Sequence, residues 1–147
     1  MFFYLQPIVE TIRGHPSIES LSLTNCQLGT VECEVLANLL RDPNSNLYSL
    51  NLLGNIIDNE GISAISNGLV NNTKLRKLFL QVSSMNRNDA CDIFSTLLCN
   101  TSSINGIHSS NHSLETIAFH GFTLPKSISK LLNENMDASK SRVAIER

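Results

Sequence analysis

The sequence predicts an α/β protein made of stacked strand–turn–helix repeats, and two observations support this. Residues 47–61 read L-x-x-L-x-L-x-x-N-x-I and then begin a helix. The same spacing recurs in copies that begin at Ile18, Leu75 and Leu114. A motif that recurs at intervals of roughly 20 to 50 residues is typical of proteins whose repeats stack side by side around one continuous core.

The spacing within each copy predicts where its elements lie. The fourth and sixth positions are two residues apart on a strand, so both point to the same interior. The helix that follows returns the chain, which lets the next strand lie parallel to the last. Parallel strands are therefore expected at 20–24, 49–53, 77–81 and 116–120. Helices are expected near 31–41, 59–70, 87–99 and 126–136, and Asp58 is the expected N-cap of the second.

The chain is interpreted as one repeat domain at 1–136, followed by a polar tail at 137–147. The tail is expected to fray unless Val143 and Ile145 dock on the last repeat. A helical half repeat at 1–14 lacks its strand, and Pro16 follows its end. The third repeat contains an insertion at 101–113 that is rich in Ser and Asn; we interpret it as a surface loop, with a helix-less extra strand as the alternative. The full repeats are expected at about 18–46, 47–74, 75–113 and 114–136.

One position of each repeat falls in the turn between strand and helix, where backbone groups need polar partners. An asparagine side chain can both donate and accept there, a thiol or a hydroxyl can do less, and a phenyl ring can do nothing. The fourth turn is therefore expected to be the distorted one. The residues at this position are, in order, Cys26, Asn55, Ser83 and Phe122.

The copies LYSLNLLGNIIDNEGISAISNGL and LRKLFLQVSSMNRNDACDIFSTLL resemble leucine-rich repeats of the ribonuclease-inhibitor-like type. The resemblance covers residues 1 to about 136. It implies a curved right-handed solenoid, with parallel strands on the concave face, helices on the convex face, and recognition of proteins through the concave face. The chain departs from the pattern in lacking a complete N-terminal cap, in having only Gly61 at the helix-start glycine position, and in its irregular last copies.

The third, fifth and seventh positions of each repeat face outward on the concave side, and most of them are small and neutral. Leu53 and Phe79 are the exceptions, because the repeat pattern requires nothing apolar there. They resemble an apolar anchor inside a polar rim, although scattered exposed hydrophobic residues are also ordinary. The residues predicted to bind a protein or peptide partner are Asn51, Leu53, Lys77, Phe79, Gln81 and His120.

Composition argues against other classes of partner. The net charge is −2 and there is no run of Lys or Arg, so neither nucleic acid nor an anionic membrane is expected as a partner. The apolar start at 1–5 is too short for a signal peptide core or a membrane span. Self-association through the uncapped ends is a further expectation.

A cytoplasmic location is expected because no signal peptide is recognised and because the four cysteines form no C-x-x-C pair and are interpreted as reduced, packed thiols rather than a disulfide framework. They are Cys26, Cys33, Cys91 and Cys99. Three glycosylation triplets are the counter-evidence, and they begin at Asn71, Asn100 and Asn111.

No residue pattern predicts catalysis, a cofactor or a metal. His108 and His112 are four apart, but they lack a helix signal and a third ligand. We therefore expect a non-catalytic interaction module. The alternative is a fragment of a larger intracellular receptor or of a GTPase-activating or regulatory leucine-rich-repeat protein. In the GTPase-activating case Arg87 would be the arginine that stabilises the transferring phosphoryl group.

Overall fold

The computed structural model describes residues 4–82, 87–99, 110–121 and 123–146, with side chains up to Ala138 in the last range. It is an α/β structure with one four-stranded parallel sheet in the order β1-β2-β3-β4. The strands are β1 (Ser20–Ser22), β2 (Ser49–Asn51), β3 (Lys77–Gln81) and β4 (Thr116–His120). The helices in the described residues are α1 (Leu5–Arg13), α2 (Thr30–Arg41), α3 (Asn59–Leu69), α4 (Arg87–Leu98) and α5 (Lys126–Glu146).

The parallel order predicted from the repeat spacing is confirmed, and so is its register. Equivalent positions of successive repeats pair across the sheet, as in Leu50 with Leu78 and Leu78 with Ile117. The side chains of Leu50, Leu52, Leu78 and Leu80 are fully buried. Since alternate strand residues share one face, these leucines form the sheet's contribution to a core that the helices cover.

The helices pack against one another along one side of the sheet. Gly68 of α3 lies so close to α2 that an added Cβ would come within 2.7 Å of the Ala37 Cα. The predicted N-cap is confirmed, because the Asp58 carboxylate accepts a hydrogen bond from the Gly61 N–H at 2.8 Å. The same carboxylate accepts from the Thr30 hydroxyl at 2.9 Å, which links the first turns of α2 and α3.

Three expectations differ from the structure or lie outside it. Strands β1 and β2 end two residues early, although the Asn25 N–H still donates to the Leu53 carbonyl at 3.0 Å. The expected end of the last helix at 136 is wrong, because α5 continues to Glu146. No Gly or Pro interrupts that stretch, and Ala, Lys, Arg and Glu favour helix. Residues 83–86, 100–109 and 122 are outside the described part, so Ser83, Phe122, His108 and most of the insertion are too. The repeat and tail boundaries remain predictions.

Candidate protein-binding surface

The side of the sheet that faces away from the helices is here named the open face. It consists of the third, fifth and seventh positions of the repeats: Ser20, Ser22 and Thr24, Ser49, Asn51 and Leu53, Lys77, Phe79 and Gln81, and Thr116, Ala118 and His120. All of these are exposed or half-buried, whereas the residues between them point into the core. The alternation follows from the two-residue period of a strand.

Leu53 and Phe79 lie near the middle of the open face. Phe79 sits between Asn51 on β2 and Ala118 on β4 in the pairing register. Leu53 lies just beyond the end of β2, next to the buried Leu52. Both side chains are half-buried. Within the described residues, they belong neither to the hydrophobic core nor to the partly buried hydrophobic residues that pack against it. The fold therefore does not use these two side chains in its core.

The polar residues around this pair differ in whether their side chains are already engaged in hydrogen bonds. The Gln81 side-chain oxygen accepts a hydrogen bond from the Gly54 N–H at 3.1 Å. The Asn51 side-chain oxygen accepts from the Leu53 N–H at 3.0 Å. Both amides therefore hold the ends of the strands, which sequence reasoning did not anticipate. His120 is exposed at the end of β4.

Lys77 keeps its charge available. Its ammonium lies 5.7 Å from the centroid of the Tyr48 ring, which is a cation–π distance. The Tyr48 side chain belongs to a second surface that sequence reasoning missed, here named the Tyr48 groove. It is about 620 Å³ in volume and lies where the chain enters the strands. Its lining is Pro16, Glu19, Asn46, Tyr48, Thr73, Lys74, Arg76 and Glu115.

The Tyr48 groove contains the second position of every repeat, so the repeat alignment itself could have revealed it. These residues are Glu19, Tyr48, Arg76 and Glu115. Arg76 and Glu115 form an ion pair at 2.8 Å, and both side chains are mostly buried. That pair is therefore locally neutral, whereas Lys74 and Glu19 are exposed.

Asn55 occupies the turn between β2 and α3 and is fully buried. Its side-chain oxygen accepts from the Cys26 N–H at 2.9 Å and the Leu28 N–H at 3.1 Å. Its amide nitrogen donates to the Leu23 carbonyl at 2.7 Å and the Leu52 carbonyl at 2.9 Å. The side chain therefore connects the first repeat to the second.

Cys26, at the same position of the first repeat, behaves differently. Its side chain is exposed, and its thiol makes one weak contact of 3.4 Å with the Thr24 carbonyl. It contributes little to the turn, in keeping with the limited hydrogen bonding of a thiol.

A second set of asparagines lies at the opposite edge, where helices lead into strands. The Asn111 side chain is buried, and its amide nitrogen donates to the Leu69 carbonyl at 2.8 Å. Its oxygen accepts from the Ser113 and Leu114 N–H groups at 2.9 and 2.8 Å. Asn72 makes the same pattern with Leu40, Lys74 and Leu75. The sequence signal is an asparagine three residues before the first leucine of the repeat.

The cysteines are free thiols in different environments. Cys33 is fully buried, while Cys26 and Cys99 are exposed. Burial, followed by the charges of Asp58 and Glu32, raises the pKa of Cys33 to about 12. Burial and the charge of Asp92 raise the pKa of Cys91. Cys33 is therefore a protonated packing residue at neutral pH.

The chemical candidates are not brought together into a site. Arg87, the residue considered for GTPase activation, begins α4, and its guanidinium donates to the Gly121 carbonyl at 3.3 Å. His112 is exposed. In the described ranges there is no cluster of three or more His, Cys, Asp or Glu side chains that could hold a metal ion. Within those same ranges, no helix is both long and apolar enough to cross a membrane.

Comparison with known proteins supports the repeat assignment. No protein-family model matches the chain. It is 35% identical over 72 residues, or 48% of this chain, to the human NACHT, LRR and PYD domains-containing protein 13, and it spans only 7% of the length of that relative.

Two solved structures share the fold over nearly the whole chain. Leiomodin-1 actin-binding site 2 has a TM-score of 0.75 at 20% identity, covering 99% of this chain and 80% of that one. The tropomodulin C-terminal domain of Caenorhabditis elegans has a TM-score of 0.70 at 16% identity, covering 98% and 82%. The fold is therefore of the leucine-rich-repeat type.

Proposed function

We propose that this chain is a non-catalytic protein-interaction module that binds a protein or peptide segment on the open face. One observation carries the proposal: Phe79 on β3 and Leu53 just beyond the neighbouring β2 are large apolar side chains that the core does not use. Apart from Ala118, the rest of the open face is polar. Apolar anchors within a polar rim are the usual centre of a protein interface. The name of leiomodin-1 actin-binding site 2 supports a protein as partner, and makes actin the first partner to test.

The proposal includes the finer features that the resemblance implied. These are the ribonuclease-inhibitor-like repeat type, the curvature that makes the open face concave, and the intracellular location. The free thiols support the location, because exposed thiols such as Cys26 and Cys99 persist in a reducing compartment.

The size of the open face limits the partner. Four strands at about 4.8 Å spacing give a face some 15 to 20 Å wide. This is enough for a peptide or one edge of a domain, and less than a standard protein interface requires. We therefore expect weak binding by this chain alone.

The test replaces Phe79 by Ala. We expect the affinity for peptides selected from a random display library, or for monomeric actin if it binds, to fall by at least about 1 kcal/mol, which is roughly fivefold. The urea unfolding midpoint should stay nearly unchanged, because the ring lies outside the core.

Ile56→Ala is the matched control, since Ile56 is 75% exposed in the turn beyond β2 and outside the open face. It should leave both measurements unchanged. A Phe79→Ala variant with a much lower urea midpoint but unchanged affinity would place the ring in the core and refute the proposal.

A second candidate is a segment of a larger receptor. The local match to a NACHT, LRR and PYD domains-containing protein favours it, because that relative is far longer than this chain. Sequencing the full-length transcript tests it: a reading frame that continues into further repeats or a nucleotide-binding domain supports it, and stop codons on both sides contradict it.

A further inference from the structure

The charge of the open face has one sign. Among its residues, all within the described part of the chain, Lys77 alone carries a formal charge at neutral pH. Lys74 adds positive charge at the adjoining Tyr48 groove. Arg76 and Glu115 of that groove neutralise each other as an ion pair, and the exposed Glu19 lies on its β1 side. The area around β3 is therefore basic in a chain whose net charge is −2.

The Lys77 ammonium is held in place without being neutralised. It lies over the Tyr48 ring, 5.7 Å from the ring centroid, and Lys77 belongs to no ion pair within the described residues. A cation–π contact restricts the side chain but leaves its charge available to a ligand. A carboxylate that reaches Lys77 thus meets a charge that is already positioned.

The spacing between Lys77 and Phe79 matches that of an extended peptide. The two residues are two positions apart on β3, so they share a face and lie about 7 Å apart along the strand. Side chains two apart on an extended peptide have the same separation. One such peptide can place an apolar side chain on Leu53 and Phe79 and a carboxylate on Lys77 together.

We propose that the partner of the open face is an extended acidic segment with an Asp or Glu two residues from a large apolar residue. This inference rests on the proposed function and specifies its ligand. The apolar residue packs on Leu53 and Phe79, the carboxylate pairs with Lys77, and a further acidic residue reaches Lys74 in the Tyr48 groove.

The test uses random peptide display with four versions of the chain as bait: wild type, Lys77→Glu, Phe79→Ala and Lys130→Glu. Lys130 is the matched control, because it is exposed on α5, away from the sheet. We expect the wild type and Lys130→Glu to enrich peptides with an acidic residue two positions from an apolar one. Lys77→Glu should lose this enrichment but keep the apolar residue.

Synthetic peptides give the affinities. A selected peptide with its Asp changed to Asn should bind the wild type about threefold more weakly at low salt. That difference should nearly vanish near 0.5 M NaCl, where the screening length is about 4 Å. The Lys77→Glu variant should prefer the Asn peptide.

Different results would refute the acidic ligand and the proposed function. If Phe79→Ala weakens selection but Lys77→Glu selects the same acidic peptides as wild type, the acidic ligand is wrong and the open face still binds. If the wild type enriches nothing beyond what Phe79→Ala enriches, the proposed function falls, and the acidic ligand falls with it.

Discussion

Two edges of the sheet are held by buried asparagines, and only one was visible in the repeat pattern. At the edge where strands lead into helices, Asn55 bonds the backbone of the first two repeats. At the opposite edge, Asn111 bonds its own turn and reaches back to Leu69 and Asn72. Both side chains fill their hydrogen-bonding capacity, so both edges rely on the same chemistry.

The edges differ in how far the linkage extends. Asn55 joins two repeats. Cys26, at the same position of the first repeat, does not extend this linkage toward the N-terminus, because its thiol makes one weak contact within its own turn. Asn72 and Asn111 join three helix ends, since their amides donate to Leu40 of α2 and Leu69 of α3, and the Asn111 N–H donates to Leu97 of α4. Asn135 of α5 extends the series by donating to the Asn111 and Leu114 carbonyls. The helix-to-strand edge is therefore the more continuous one.

The largest effect is expected when both edges lose their asparagine. Each replacement by Ala leaves buried N–H and C=O groups without partners, at a cost of about 1 to 3 kcal/mol. Since Asn55 and Asn111 share no hydrogen-bonding partner, the double variant should lose the sum, about 2 to 6 kcal/mol. Urea unfolding of the wild type, both single variants and the double variant measures this. A departure from the sum by more than about 1 kcal/mol would show that the edges are coupled.

A smaller effect separates the members of one edge. Asn55→Ala should cost about 1 to 3 kcal/mol, while Cys26→Ala should cost less than about 0.5 kcal/mol, because its thiol is exposed and makes one weak contact. Ser83→Ala should also cost distinctly less than Asn55→Ala, since a hydroxyl satisfies fewer groups than an amide. Similar shifts in unfolding midpoint for Asn55→Ala and Cys26→Ala would mean that the turn position is held by its backbone alone.

The comparison also shows what a sequence can predict here. The strands were predictable because leucines at fixed positions must face one core, as Leu50 and Leu78 do. Asn111 was missed because the insertion at 101–113 changes the length of its repeat. The feature that Asn111 shares with the other repeat is its distance of three residues from the first leucine, Leu114. The outward placement of Leu53 and Phe79 followed from strand alternation. The bonds that engage Gln81 and position Lys77 depend on neighbouring strands, and no local pattern encodes them.

The mildest expected difference lies at the N-terminal end, where the buried asparagines of both edges stop. The link there is an exposed hydrogen bond from the Asn46 amide to the Pro16 carbonyl at 3.0 Å. Leu21 of β1 is half-buried, whereas Leu50 and Leu78 at the equivalent positions are fully buried. At the same end of the chain, Tyr4 is 76% exposed and lines an apolar groove of about 140 Å³ together with Leu23 and Leu28. Terminal repeats whose apolar edge lacks a polar cap tend to open locally.

Amide hydrogen exchange should therefore be faster in residues 1–24 than in residues 50–80, measured at low protein concentration. Uniform protection from exchange along the chain would show that the apolar edge at the N-terminal end is covered. If that protection disappeared on dilution, a second copy of the chain would be covering the N-terminal end, as the expected self-association requires. If it persisted at every concentration, the hydrogen bonds from Asn55 to the first repeat would be enough to hold the N-terminal end closed. The edge where strands lead into helices would then protect the backbone amides as well as the helix-to-strand edge does.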